Sequence, residues 1–197
     1  AEGLTERGDG QVFGADGDDV PDEAGDAAQG QSQALFDAHV LTADNLSVLR
    51  AYARSRGTYH QGAVSFGSLN RLEDGVVFMD TASGGIDAAS PAVVTVEGRA
   101  GTGPGGVFRG WLIVNGGLRL SGDFESQGLL YAVNDIQVSG PARILGQDIS
   151  GSLREPVTAV GGGAHIAYGC RAARTGGATV PESFVVKPGT YRETPDP

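Results

Sequence analysis

The sequence predicts a mainly β fold: a β-solenoid-like core on an 18-residue repeat, with one N-terminal α-helix packed on the sheet. Three observations lead there. The stretch Gly110–Gly122 reads GWLIVNGGLRLSG, and Gly128–Gly140 reads GLLYAVNDIQVSG, 18 residues on without a gap. Under that shift Gly110 meets Gly128, Leu112 meets Leu130, Leu118 meets Ile136 and Leu120 meets Val138. In the second half of each copy apolar residues alternate with polar ones, as a half-buried strand requires. Composition agrees, since 33 glycines with 7% aromatics favour many turns over helical bundles. A short regular period suggests coils that each bury their apolar side chains on the next. The alternative is an antiparallel β-sandwich in which each copy is a hairpin, because hairpin turns need the same glycines. The shift extends to Ala92–Gly98, aligned with the start of the first copy, and to Gly146–Gly151, aligned with the start of the second.

Residues 1–32 are read as a flexible acidic arm or linker, and residues 33–197 as a single β-rich domain. The arm is Gly, Asp, Glu, Gln and Ala with few apolar anchors, too few to offset its ordering entropy alone. Leu35 to Gly57 is the helical region, with the helix itself at about 42–57. Thr42 or Asp44 can cap it, and Leu46, Leu49, Tyr52 and Ala53 recur at three- and four-residue spacing. Arg50, Arg54 and Arg56 suit its carbonyl end, and Gly57 its stop. Strands follow at 63–66, 75–81 and 93–96, then the repeat, then 144–153, 164–168 and 184–191. Turn chemistry marks Ser83-Gly84-Gly85, Gly101–Gly106 and Gly161-Gly162-Gly163.

Within the arm, Asp16-Gly17-Asp18-Asp19-Val20-Pro21-Asp22-Glu23 resembles the DxDGxxD loops of thrombospondin type 3 and related calcium repeats. Alternate carboxylates on a tight loop can converge hard oxygens on one Ca²⁺. The metal ligands would be Asp16, Asp18 and Asp22 through side chains and Val20 through its carbonyl. Asp19 stands where a turn glycine is usual, and Gly14 where an earlier Asp is expected. A solvated acidic linker is the preferred reading of the same residues, with calcium the alternative.

The order of the pieces resembles the soluble region of PilX-like type IV pilus assembly (minor-pilin-like) proteins, over roughly residues 40–193. The stretches that carry the resemblance are Gly57-Thr58-Tyr59, Val77-Phe78-Met79-Asp80-Thr81, Gly110–Asn115, Gly128–Asp135 and Val186–Glu193. The family implies an N-terminal hydrophobic anchoring helix, which this sequence does not show. The 18-residue period is also similar, more weakly, to that of bactofilin-type polymerising β-solenoids. These resemblances imply a structural or assembly protein of a bacterial surface filament, extracellular or on the cell surface and open to an adhesive role. Its partners would be itself or other pilin-like subunits, with residues 1–32 as a contacting arm that adds to a neighbour's edge.

Charge and motifs point away from other classes. A net charge of −10 opposes nucleic acid, whose phosphates need cationic side chains. No stretch approaches the roughly 20 apolar residues of a membrane span. The single cysteine, Cys170, rules out an intrachain disulfide framework and reads as a small buried hydrophobe. His39, His60 and His165 hold no metal-ligand spacing, and no GxSxG elbow accompanies the serines. His165 and Cys170 fall on one expected strand but on opposite faces. Gly101–Gly106 lacks the lysine of a phosphate loop. No catalytic residue is expected, and Asp135 is read as a turn residue. The alternative from another class is a secreted carbohydrate-binding or carbohydrate-cleaving β-helix. That would need a groove with exposed aromatics and paired carboxylates, such as Asp135 with Asp148.

Overall fold

The structure, a computed structural model, describes residues 5–7, 11–13, 41–80, 82, 92–150 and 159–176. Two short strands come first, β1 (Thr5–Arg7) and β2 (Gln11–Phe13), and then helix α1 (Ala43–Arg56). The strands β3 (Tyr59–Gln61), β4 (Val64–Phe66), β5 (Gly75–Asp80) and β6 (Ala92–Glu97) follow. The repeat supplies β7 (Phe108–Val114), β8 (Gly116–Ser121), β9 (Glu125–Ala132) and β10 (Ile136–Ser139). The chain continues through β11 (Arg143–Ser150), β12 (Ala159–Gly161) and β13 (His165–Tyr168) into a second, short helix, α2 (Cys170–Thr175).

From β3 onward, successive strands fall alternately into two sheets. One runs β1-β12-β10-β8-β6-β4 and the other β2-β13-β11-β9-β7-β5-β3. Every strand pairing among the described residues is parallel. Between the sheets lies the core, with Leu112, Val114, Leu130 and Ala132 from one layer facing Leu118, Leu120, Ile136 and Val138 from the other. These side chains are at most 3% exposed, so alternation along each strand has buried one whole face of both sheets.

This corrects the fold class expected from the sequence. The antiparallel sandwich is overturned, because the two halves of each repeat copy are not hairpins. At Asn115-Gly116 the chain crosses from one layer to the other, and β7 and β8 sit in different sheets. The spacing of 18 places Gly110 beside Gly128, and Leu118 beside Ile136, on parallel neighbours. The repeat is also not uniform. Ala92 pairs with Gly116 and Val94 with Leu118, so this stretch matches the second half of the first copy and not its start. The insertion at 101–106, which holds a single 3-10 turn at Pro104–Gly106, lengthens the intervening loop and hides that register from a fixed shift. Nor is the helix the single one expected, since α2 follows β13. The architecture is mainly β, two parallel sheets face to face, without a closed barrel among the described residues.

One row of glycines shapes the second sheet. Gly75, Gly110, Gly128 and Gly146 stand in register on β5, β7, β9 and β11. Gly110, Gly128 and Gly146 take φ between 145° and 155°, and a Cβ on any of them would overlap the carbonyl oxygen of the glycine before it in the row. Only residues without a side chain let the strands approach this closely.

α1 covers the outer face of that sheet. Thr42 rather than Asp44 is its N-cap: the Thr42 hydroxyl accepts from the Asn45 amide at 3.2 Å, and Asn45 Oδ1 accepts from the Thr42 amide at 3.1 Å. Gly57 closes the helix at φ 79°. Leu46, Leu49 and Ala53 bury against Val76, Phe78, Ile113, Leu129, Tyr131 and Val133. Trp111 and Leu129 therefore point out of the core and into this second apolar layer. Trp111 Nε1 also donates to the Ala173 carbonyl at 2.7 Å, which fixes α2 on the same face. Among the described residues no helix is long and apolar enough to cross a membrane. The strand expected at 184–191 and the turn at Ser83-Gly84-Gly85 lie outside the described residues.

Candidate functional site

Three features of the described surface could carry function: a polar anchor under α1, a shallow depression on the second sheet, and the two ends of the ladders. Asp80 closes β5 and is fully buried. Its Oδ2 accepts from Arg50 Nε at 2.6 Å and from the Tyr59 hydroxyl at 3.3 Å, while Oδ1 accepts from Asn115 Nδ2 at 2.8 Å. Arg50 also lies over the Phe78 ring at 5.2 Å, and Arg54 over Tyr59 at 4.3 Å. A carboxylate so enclosed is sustained by charge-assisted hydrogen bonds. The constellation fixes α1 to the sheet, and both oxygens of the carboxylate are spent on that task. Arg50 and Arg54, placed by sequence at the carbonyl end of the helix, are thus part of the packing. Asp80 as the partner of Arg50 could not be seen in sequence, because it lies 30 residues away.

The depression has a volume of about 410 Å³ and is lined by Val107, Glu125, Gln127, Arg143, Leu145 and His165, among others. Register explains the set. Glu125, Arg143 and His165 form one rung across β9, β11 and β13, and Gln127, Leu145 and Ala167 form the next but one. Among the described residues Glu125 is the one carboxylate of the lining, and it is drawn toward Arg99 at 3.7 Å. Paired-carboxylate cleavage of a glycan needs two such groups about 5–9.5 Å apart. Asp135 is elsewhere, in the turn before β10, where its Oδ2 accepts from Gln137 Nε2 at 2.9 Å. His165 lies on β13, but Cys170 is the first residue of α2 and not a continuation of that strand, so the two do not share one element.

The ladder ends are defined by β3 with β4 on one side and by β1 with β2 on the other. All four strands are three residues long, short enough to limit uncontrolled edge pairing. At the β3–β4 end His60 meets Phe66 edge-on at 5.4 Å, and burial pushes its pKa below the usual 6.5 against a smaller opposing pull from Glu73. Beyond β4 the chain folds back, with the Gly67 amide donating to the Asn70 carbonyl and Asn70 Nδ2 to the Ser65 carbonyl, each at 2.8 Å. That tight return leaves Leu69 fully exposed. At the other end β1 pairs with β12, Thr5 beside Ala159, and β2 with β13, Gln11 beside His165. The N-terminal segment thus supplies a further pass over both sheets, in the alternating order that the rest of the chain follows. Sequence reading missed these strands, since three polar-rich residues carry no periodicity.

Asp16, Asp18, Val20 and Asp22, the expected calcium ligands, lie outside the described residues. Among the described residues no three His, Cys, Asp or Glu side chains come together to hold a metal. Comparison with protein-family models, with curated proteins and with solved structures finds no match to this chain.

Proposed function

We propose that this chain is a non-catalytic structural or assembly component of a bacterial surface filament, exposed outside the cell, whose copies meet at the ends of their ladders. The observation that supports it is the joint termination of both sheets. β3 and β4 end one side, β1 and β2 the other, and every strand between them runs the same way. A second copy placed on either end continues both ladders without reversing direction. The two end surfaces differ, so the contact is head to tail, and such contacts form open chains when the rotation between copies does not close a ring. Backbone hydrogen bonding supplies the adhesion, and side chains such as Leu69 and His60 supply the selectivity. The polar anchor beneath α1 has a supporting part: it holds a cover on one sheet face, leaving the ends as the surfaces that pair.

Electron microscopy beside sedimentation velocity, over a concentration series with and without Ca²⁺, tests this. Filaments or regular end-to-end oligomers are expected. A calcium requirement would assign the acidic stretch at Asp16–Asp22 to the assembly. A monomer throughout the series in both conditions overturns the proposal.

A further inference from the structure

The N-terminal pass occupies a position that the chain does not reach by continuing. After β13 the chain turns into α2. β1 and β2 close the two sheets at this end from the other terminus, with Thr5, Glu6 and Arg7 in register with Ala159, Val160 and Gly161. On the second sheet Gln11, Val12 and Phe13 pair with His165, Ile166 and Ala167. Among the described residues these are the strand pairings that hold β1 and β2, and neither strand follows β12 or β13 directly in the chain. Another copy offers an identical β12–β13 edge. We propose that, in assemblies of this chain, β1 and β2 of one copy close the β12–β13 end of the next, so that the closing strands are exchanged between neighbours.

The geometry makes exchange neutral in contacts. The Leu41 amide donates to the Tyr131 hydroxyl at 3.2 Å, which places the start of α1 over β9. In the order β2-β13-β11-β9-β7-β5-β3, β9 stands three steps from either end. At about 4.8 Å per step, its own β2 position is ~14 Å away along the ladder. The equivalent position on a neighbour stacked beyond β3 is one step further, ~19 Å. Residues 14–40 join Phe13 to Leu41. At about 3.3 Å per residue such a connection reaches up to ~90 Å, so length favours neither site. In both arrangements β1 and β2 pair with a β12–β13 edge on one side and abut a β3–β4 edge on the other. Exchange therefore adds chain continuity across each junction without losing a ladder contact. At low concentration the intramolecular site wins through its effective concentration, and exchange belongs to the assembled state.

This inference rests on the end-to-end reading above, and its test separates the two. In a Cys170→Ser background, Thr5→Cys is combined with Ala159→Cys, and in a second protein Gln11→Cys with His165→Cys. Each pair joins register partners on adjacent strands, within disulfide range. Both proteins are oxidised dilute, as monomers, and again after assembly, then run on denaturing gels without reductant. Bonds within single chains are expected from the dilute sample, and a ladder of covalent dimers, trimers and higher species from the assembled one. Assemblies that dissolve to monomers carrying internal bonds overturn the exchange and leave end-to-end stacking intact. Failure to assemble overturns both. Absence of any bond in either protein, dilute or assembled, overturns the pairing on which exchange depends.

Discussion

Replacing Gly128 by alanine tests the glycine row that brings the strands of the second sheet together. Gly128 has φ 146°, and its added Cβ would overlap the carbonyl oxygen of Gly110, a backbone atom held in the ladder on both sides. Two penalties combine. A non-glycine residue in that region of φ costs about 1–3 kcal/mol. Forcing a methyl into closely packed backbone adds about 1–3 kcal/mol. The stiffer unfolded chain returns only about 0.4–1 kcal/mol. The net expectation is a loss of about 1–6 kcal/mol, centred near 3 and a large share of a typical domain's stability. Gly57→Ala is the control, for Gly57 has φ 79° but nothing within 4 Å of the place its methyl would take. There only the left-handed conformation is penalised, by about 1–2 kcal/mol before the same offset. Urea unfolding followed by circular dichroism reads both, and with a slope of about 1–3 kcal/mol per molar the two midpoints should separate clearly. If Gly128→Ala lies within about 1 kcal/mol of Gly57→Ala, the close approach of the strands does not depend on the glycine row.

Two further changes probe the α1 cover and the ladder end. Asp80→Asn removes the charge that holds Arg50, Tyr59 and Asn115 together, and should cost about 2–4 kcal/mol while lowering the helical signal as α1 loosens; a variant as stable as the parent would show that apolar packing alone seats the helix. His60 is held below its ordinary pKa of 6.5, first by burial, with Glu73 opposing. Between the folded and unfolded pKa values the unfolded chain binds more protons, so stability rises with pH there and falls as the solution is acidified from about 7 toward 5. His60→Gln should flatten that part of the profile, measured as urea midpoints at the two pH values, and an unchanged difference between them would remove His60 as its source.

The legible part of this fold lay in local chemistry. Thr42 and Gly57 mark the helix because caps act over three or four residues, and the alternation in Leu118, Leu120, Ile136 and Val138 marks strands because period two is a property of the single strand. Strand direction is not such a property. The polar turns at Asn115-Gly116-Gly117 and Asn134-Asp135 permit a hairpin or a crossing to the other layer, and only the pairing of Gly110 with Gly128 decides between them. The insertion at 101–106 displaced the register of Ala92–Glu97 for a similar reason, since a fixed shift cannot follow a loop that changes length. Asp80 was equally hidden. It follows an apolar run and reads as a strand end, and its role comes from Arg50 and Asn115, brought to it by packing.

The N-terminal strands show where such reading stops and why that matters for function. Thr5–Arg7 and Gln11–Phe13 have no pattern of their own, and a segment with so few apolar residues forms strands only against an existing edge. Their structure belongs as much to β12 and β13 as to themselves. An element defined by its template can be supplied by any chain that presents it, and each copy of this protein carries one such element and one such template. If the closing pass is retained at home, the ends of the molecule are finished surfaces that can only abut. If it is exchanged, each junction is bridged by a chain running through it, and rupture of the assembly requires pulling two three-residue strands out of a neighbour. The distinction is topological: exchange moves the surface that parts on rupture from β3–β4 against β1–β2 to β1–β2 against β12–β13, and leaves the number of strands that part unchanged.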